Sequence, residues 1–182
     1  MTNNIPYRNI YAIILVSILI LSIAGCNGDV NLKPVLTATE LEIDHVVKES
    51  YYVWYVAKGQ KPDFSKYDDY FTKNAIFNHM EQGVVTSSAL TQQVEKFKSA
   101  FEKGHLVSFD EREIGAQTRV FGNVAHRISY HVYRTNTNDM ITKRGVNSIE
   151  LIRINGQWKI YSILRQIEDD KYKLPSKYDA FI

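Results

Sequence analysis

A change of hydrophobic period at Gly104 does most to limit what this chain can fold into. Before it, apolar residues recur at helical spacing. Ile43, Val47, Tyr51, Trp54 and Tyr55 form one such series, and Gly59 is placed to stop it. Thr39 and Glu42, three apart, fit a capping box at its start. Ser65 is placed to cap a short second helix carrying Tyr67, Tyr70 and Phe71. Ala75 to Met80 reads as a strand, and the turn Glu81-Gln82-Gly83 leads into Val84-Val85. Ser87 or Ser88 opens a third helix with Leu90, Val94, Phe97 and Phe101 on one stripe, closed by Gly104. Beyond Gly104 the pattern alternates. Gly122-Asn123, the polar stretch from Asn136 to Asp139, and Asn155-Gly156 divide it into four long strands. Helices grouped ahead of a run of antiparallel strands predict an α+β domain, with the helices covering one sheet face. There is no internal repeat and no second domain.

The other strong signal is the N-terminal stretch. Arg8 is the only charged side chain ahead of the uncharged apolar run from Ile10 to Ile23. That layout fits a secretory signal and is short for a membrane-crossing helix, which takes about 20 apolar residues. The run ends in Ile23-Ala24-Gly25-Cys26, which resembles the lipobox of bacterial lipoproteins. The resemblance implies removal of residues 1–25, lipidation of Cys26 and attachment to a membrane, with residues 26–38 as a tether. Twelve extended residues reach about 40 Å at most, which would keep the domain close to the bilayer. Asn27 follows the cysteine in place of the aspartate that retains some lipoproteins at the inner membrane. The predicted address is therefore the cell envelope, at the periplasmic face of the outer membrane in a Gram-negative cell.

Removal of the leader leaves 157 of 182 residues, with 21 basic and 20 acidic side chains. A chain so close to neutral offers no basic footprint for nucleic acid. Cys26 is the sole cysteine, which excludes disulfides, thiolate metal sites and cysteine nucleophiles from the domain. Its core, rich in tyrosine and phenylalanine, must hold it together.

Residues 39–168 resemble the NTF2-like superfamily, particularly its SnoaL-like and steroid-isomerase-like branch, and residues 169–182 form a tail. The carrying stretches are Tyr67-Asp68-Asp69-Tyr70-Phe71-Thr72-Lys73-Asn74-Ala75-Ile76-Phe77 and Gly122-Asn123-Val124-Ala125-His126. Gly145 to Arg153 and Asn155-Gly156-Gln157-Trp158-Lys159-Ile160 complete the pattern. The resemblance implies a cone of three helices packed on a curved, mainly antiparallel sheet, its mouth often a ligand pocket. It also implies sheet-to-sheet pairing of two copies, hence a homodimer. Members include isomerases, dehydratases, polyketide cyclases, transport factors and domains with no chemistry, so fold alone does not choose among them.

His79 is the sharpest chemical candidate, near the position where isomerase-like members carry an acidic general base. A histidine can serve as a base near neutral pH, or it is a pocket-rim residue with no such role. Isomerase-like members also use a tyrosine of the first helix as an oxyanion donor, a role that Tyr52 or Tyr55 could match. The alternative for Tyr51, Trp54 and Tyr55 is the seam between helix and sheet. Phe77 belongs with them as a wall of the cone. His126 and Tyr130, four apart on one strand, share a face with Val124, Ile128 and Val132. If that face is concave they are polar handles in an apolar cavity; if convex, they belong to an interface. His131 points the other way. The run Asp110-Glu111-Arg112-Glu113 reads as a solvated face. The tail packs along the domain, is partly disordered, or serves as a partner-binding peptide.

No histidine spacing suits a metal, and no phosphate loop or dinucleotide fingerprint implies a cofactor. The leading expectation is a lipid-anchored domain that binds a small apolar ligand or an envelope protein. A lyase or isomerase using His79 with Tyr55, and an assembly subunit of an envelope or secretion complex, are the alternatives.

Overall fold

Thr37 and Glu40 start the first helix. The Thr37 hydroxyl accepts the Glu40 amide at 3.2 Å, and the Glu40 carboxylate accepts the Thr37 amide at 2.8 Å. This capping box lies two residues ahead of the predicted Thr39–Glu42 pair. Thr37 is the last extended residue, so the helix has already begun at Thr39, and Glu42 pairs with Arg153 at 3.2 Å instead. The computed structural model describes residues 36–136 and 143–181; the leader, Cys26 and most of the tether lie outside the described residues.

Helix α1 spans Ala38–Val53 and buries Ile43, Val47 and Tyr51 along one stripe. It stops short of Gly59. Val56 instead exchanges backbone hydrogen bonds of 2.8 and 2.9 Å with Phe109, which pulls the chain out of the helix. A short α2 (Tyr67–Tyr70) leads into β1 (Phe71–Glu81) and β2 (Val84–Ala89). Ser65 makes no cap for α2; its own amide is held by Asp63 at 2.9 Å. Gln82 and Gly83, both at positive φ, make the hairpin turn between β1 and β2. Ser87 and Ser88 stay in β2, paired with Asn78 and Phe77, so α3 begins later, at Leu90, and runs to Glu102.

Four long strands follow: β3 (Phe109–Phe121), β4 (Val124–Thr135), β5 (Lys143–Ile154) and β6 (Gln157–Ile167). Asn155 and Gly156 both take positive φ, as the predicted two-residue turn requires. The sheet order is β2-β1-β6-β5-β4-β3, all antiparallel except β1 against β6. The sequence pattern did not anticipate that parallel pair, which inserts the last strand between the first hairpin and the meander. Register shifts at Glu113/Gly115 and Glu150/Leu151 interrupt the ladders and bend the strands. The architecture is α+β, with α1 against the inner face of the sheet and α3 against β1 and β2. Ile43, Val47 and Tyr51 meet Phe71, Ile149, Leu151, Trp158 and Ile160 in the core, beside Leu90 and Val94 of α3.

The tail lies on the opposite, outer face. Leu174 and Tyr178 are buried, and Tyr178 stacks on Tyr130 at 4.4 Å. A side chain at Gly115 would meet the Tyr178 ring at 2.5 Å, so the glycine makes room for it. Arg144 ties the arrangement by pairing with Glu168 and, at 2.7 Å, with Asp179.

Candidate ligand site at the mouth of the cone

Alternation along β4 decides which residues face α1. The inward set is Ala125, Arg127, Ser129, His131 and Tyr133; the more apolar set containing Val124 and Ile128 faces outward. A polar inner face is tolerable only if its groups find partners, because a buried unpaired polar group costs about 1–3 kcal/mol. Arg127 and Ser129 find them in two networks; the ring nitrogens of His131 do not.

The deeper network holds the base of α1. Arg127, whose side chain is 6% exposed, grips both carboxylate oxygens of Glu113, Thr118 at 2.8 Å and Asp44 of α1 at 2.7 Å. Burial opposes the Arg127 charge, but the two carboxylates outweigh it and hold the guanidinium above its usual range.

The second network runs under a cavity at the other end of α1. The Tyr51 hydroxyl lies 2.7 Å from Ser129 Oγ and accepts from Asn147 Nδ2 at 2.9 Å. Asn147 Oδ1 in turn accepts from Arg165 Nε at 3.2 Å, and Arg165 Nη2 donates to Glu111. Burial, then the nearby Glu111 charge, pushes the Tyr51 hydroxyl above its ordinary range, so it stays protonated. Arg165 is likewise held above its usual range, the pull of Glu111 outweighing burial. His131 lies behind Glu111, 3.5 Å from its carboxylate, with neither ring nitrogen hydrogen-bonded. Burial pushes it down to about 4, so it is neutral at physiological pH.

Above this floor is a cavity of about 400 Å³. Trp54, Phe77, Phe97 and Phe109 wall it, while Glu111 and Arg165 present its polar end. Trp54 meets Phe77 and Phe97 edge-on at 5.8 and 5.3 Å, a geometry that fixes the rings as a rigid wall. A mostly apolar cavity with a few convergent polar groups is the usual form of a small-molecule site.

The structure divides the residues singled out from sequence. His79 and Phe77 line the cavity, and His79 pairs in register with Arg165 on the neighbouring strand. Tyr51 lies beneath it, within the polar network. Tyr55 is elsewhere: 43% exposed, it stacks on Tyr52 at 5.5 Å outside the cavity, because α1 ends before reaching it. His126 and Tyr130 are on the outer face, where His126 Nε2 is 2.9 Å from Ser148 Oγ and Tyr130 lies under Tyr178. The acidic run is also corrected. Glu111, only 6% exposed, is a buried partner of Arg165, and Glu113 turns inward to Arg127. Glu111, Arg165, Asn147 and Ser129 were not picked out from sequence. Among the described residues, no cluster of three or more His, Cys, Asp or Glu is arranged to hold a metal ion.

Known structures share this architecture. A protein of unknown function with a cystatin-like fold from Nostoc punctiforme matches 75% of this chain and 97% of its own, at 14% identity and a TM-score of 0.58. LinA matches 72% and 87%, at 9% identity and a TM-score of 0.55. A protein of unknown function from Mycobacterium tuberculosis matches 71% and 76%, at 18% identity and a TM-score of 0.55. The shared fold is the α+β architecture described as cystatin-like in the Nostoc protein. At these identities the likeness is one of fold alone. No protein-family model matches the chain, and no curated protein does.

Proposed function

We propose that this protein is an extracytoplasmic, lipid-anchored NTF2-like domain that binds a small, largely apolar ligand in the cavity at the mouth of its cone. The observation that carries the binding reading is the open aromatic cavity ending on the Glu111–Arg165 pair. A domain serving only as an assembly scaffold has no need to keep such a space unfilled. The dispersal of His79, Tyr55 and His126 over three separate places favours binding over the lyase or isomerase alternative. The membrane part of the proposal rests on the resemblance of residues 23–26 to a lipobox.

Native mass spectrometry of protein purified from its own membrane tests the binding reading. Wild-type protein should carry a small-molecule adduct. Ala100→Trp, which places a bulky ring in the cavity from α3, should lose at least about nine-tenths of it. An adduct-free wild type, or equal occupancy in the variant, would reject a ligand at this site. The anchor has its own test. Cells fed labelled palmitate should label the wild type and not Cys26→Ser; equal labelling of the two would reject lipidation at Cys26.

A further inference from the structure

We propose that the cavity floor recognises a ligand whose inner end is a neutral donor–acceptor pair, as in a primary carboxamide, and discriminates against an anion. The proposal rests on the ligand-binding reading above and names the chemistry that this site selects.

Asn78, His79, Gln93 and Tyr133 also line the cavity, but its ion pair is Glu111 with Arg165, and each member has spent only part of its capacity. Arg165 donates through Nε to Asn147 and through Nη2 to Glu111; among the described residues its Nη1 has no hydrogen-bond partner. Glu111 accepts at Oε1, which also faces His131; among the described residues its Oε2 has none. Both side chains line the cavity, Glu111 at 6% exposure and Arg165 with 26% of its side chain open. The two members of one ion pair thus offer the cavity a donor and an acceptor. A planar amide offers the complement, its carbonyl accepting from arginine and its N–H donating to the carboxylate.

Charge makes the same selection. The Glu111–Arg165 pair sums to zero, and His131 behind it is neutral near pH 7. A ligand carboxylate would gain Arg165 but would be set against Glu111 in a poorly solvated space, where like charges repel strongly. A ligand ammonium meets the opposite conflict with Arg165. Lys96 is the other cation of the lining, but it is exposed at the rim, where solvent screens it. The apolar body of the ligand would lie against Trp54, Phe77 and Phe97.

The test uses three probes that share one apolar body: naphthamide, naphthoate and methyl naphthyl ketone, titrated calorimetrically into the full-length protein in detergent. Naphthamide should bind at least about tenfold more tightly than the ketone, which cannot donate to Glu111, because a site built to pair a donor rejects analogues lacking it. Naphthoate should be the weakest of the three. In Glu111→Gln the order should invert, with naphthoate gaining at least about tenfold once the carboxylate opposing it is gone. Naphthoate binding tightest to the wild type, or equal affinity for all three, would overturn the proposal while leaving the cavity a ligand site. Failure of every probe to bind, together with an adduct-free native spectrum, would remove the ligand site itself. The wild-type series is decisive even where Glu111→Gln fails to fold.

Discussion

Lowering the pH from 7 to 5 should remove about 2 kcal/mol of stability through His131 alone. This histidine is fully buried, its ring nitrogens are unpartnered, and burial lowers it from 6.5 in the unfolded chain to about 4 in the fold. A depressed folded value means that the native state prefers the neutral ring, so acid protonates the unfolded chain first. The contribution is therefore complete above 6.5, falls as the pH drops through the window below it, and is spent near 4. Urea denaturation at several pH values measures the slope, and His131→Phe isolates it. The variant should lose the His131 share of the acid sensitivity. It should also be no less stable at pH 7, because no hydrogen bond is given up. An unchanged slope in the variant would refute the assignment.

The second large effect is expected at Arg127. Truncation to alanine should cost about 3–5 kcal/mol, the usual penalty for stranding a buried charge. The stranded group is Glu113, whose side chain is 19% exposed; Asp44, at 45%, can return to water. For a domain of this size the loss corresponds to a fall of roughly 10 °C in melting temperature. Arg127→Leu combined with Glu113→Leu should recover most of it, since removing both partners leaves no uncompensated charge. Thermal melts of Arg127→Leu, Glu113→Leu and the double variant close the cycle. A loss below about 1 kcal/mol in Arg127→Ala would show that the clamp on α1 contributes little.

These two residues also show where the sequence was legible. The Asn155-Gly156 turn, the stripe of α3 and the alternation after Gly104 are local patterns, and each appears as expected in kind, with boundaries moved by neighbours. What the chain does not encode locally is which face of an alternating strand is inside. On β4 hydrophobicity favours burying Val124 and Ile128, yet the inner face carries Arg127, Ser129 and His131. Arg127 and Ser129 are satisfied by Asp44, Glu113 and Tyr51, partners 14 to 83 residues away, while the His131 ring nitrogens have no hydrogen-bond partner among the described residues. The same distance hid Glu111, whose partner Arg165 is 54 residues further on. Read alone, an acidic residue between charged neighbours looks solvated. Tyr55 was misplaced for a different reason: the helical period continues past Val53, but the bridge from Val56 to Phe109 ends the helix first.

The position of β6 has a further consequence, for the order of assembly. Among the described residues it is the last strand, yet it is also the only link in the sheet between the β1–β2 hairpin and the β3–β5 meander. Its pairing with β1 joins Phe71 to Ile160 and Met80 to Gln166, contacts that each close a loop of nearly ninety residues. Until residues 157–167 are available, the two halves share no ladder. Such late, non-local pairing slows folding and holds the chain open while it is made.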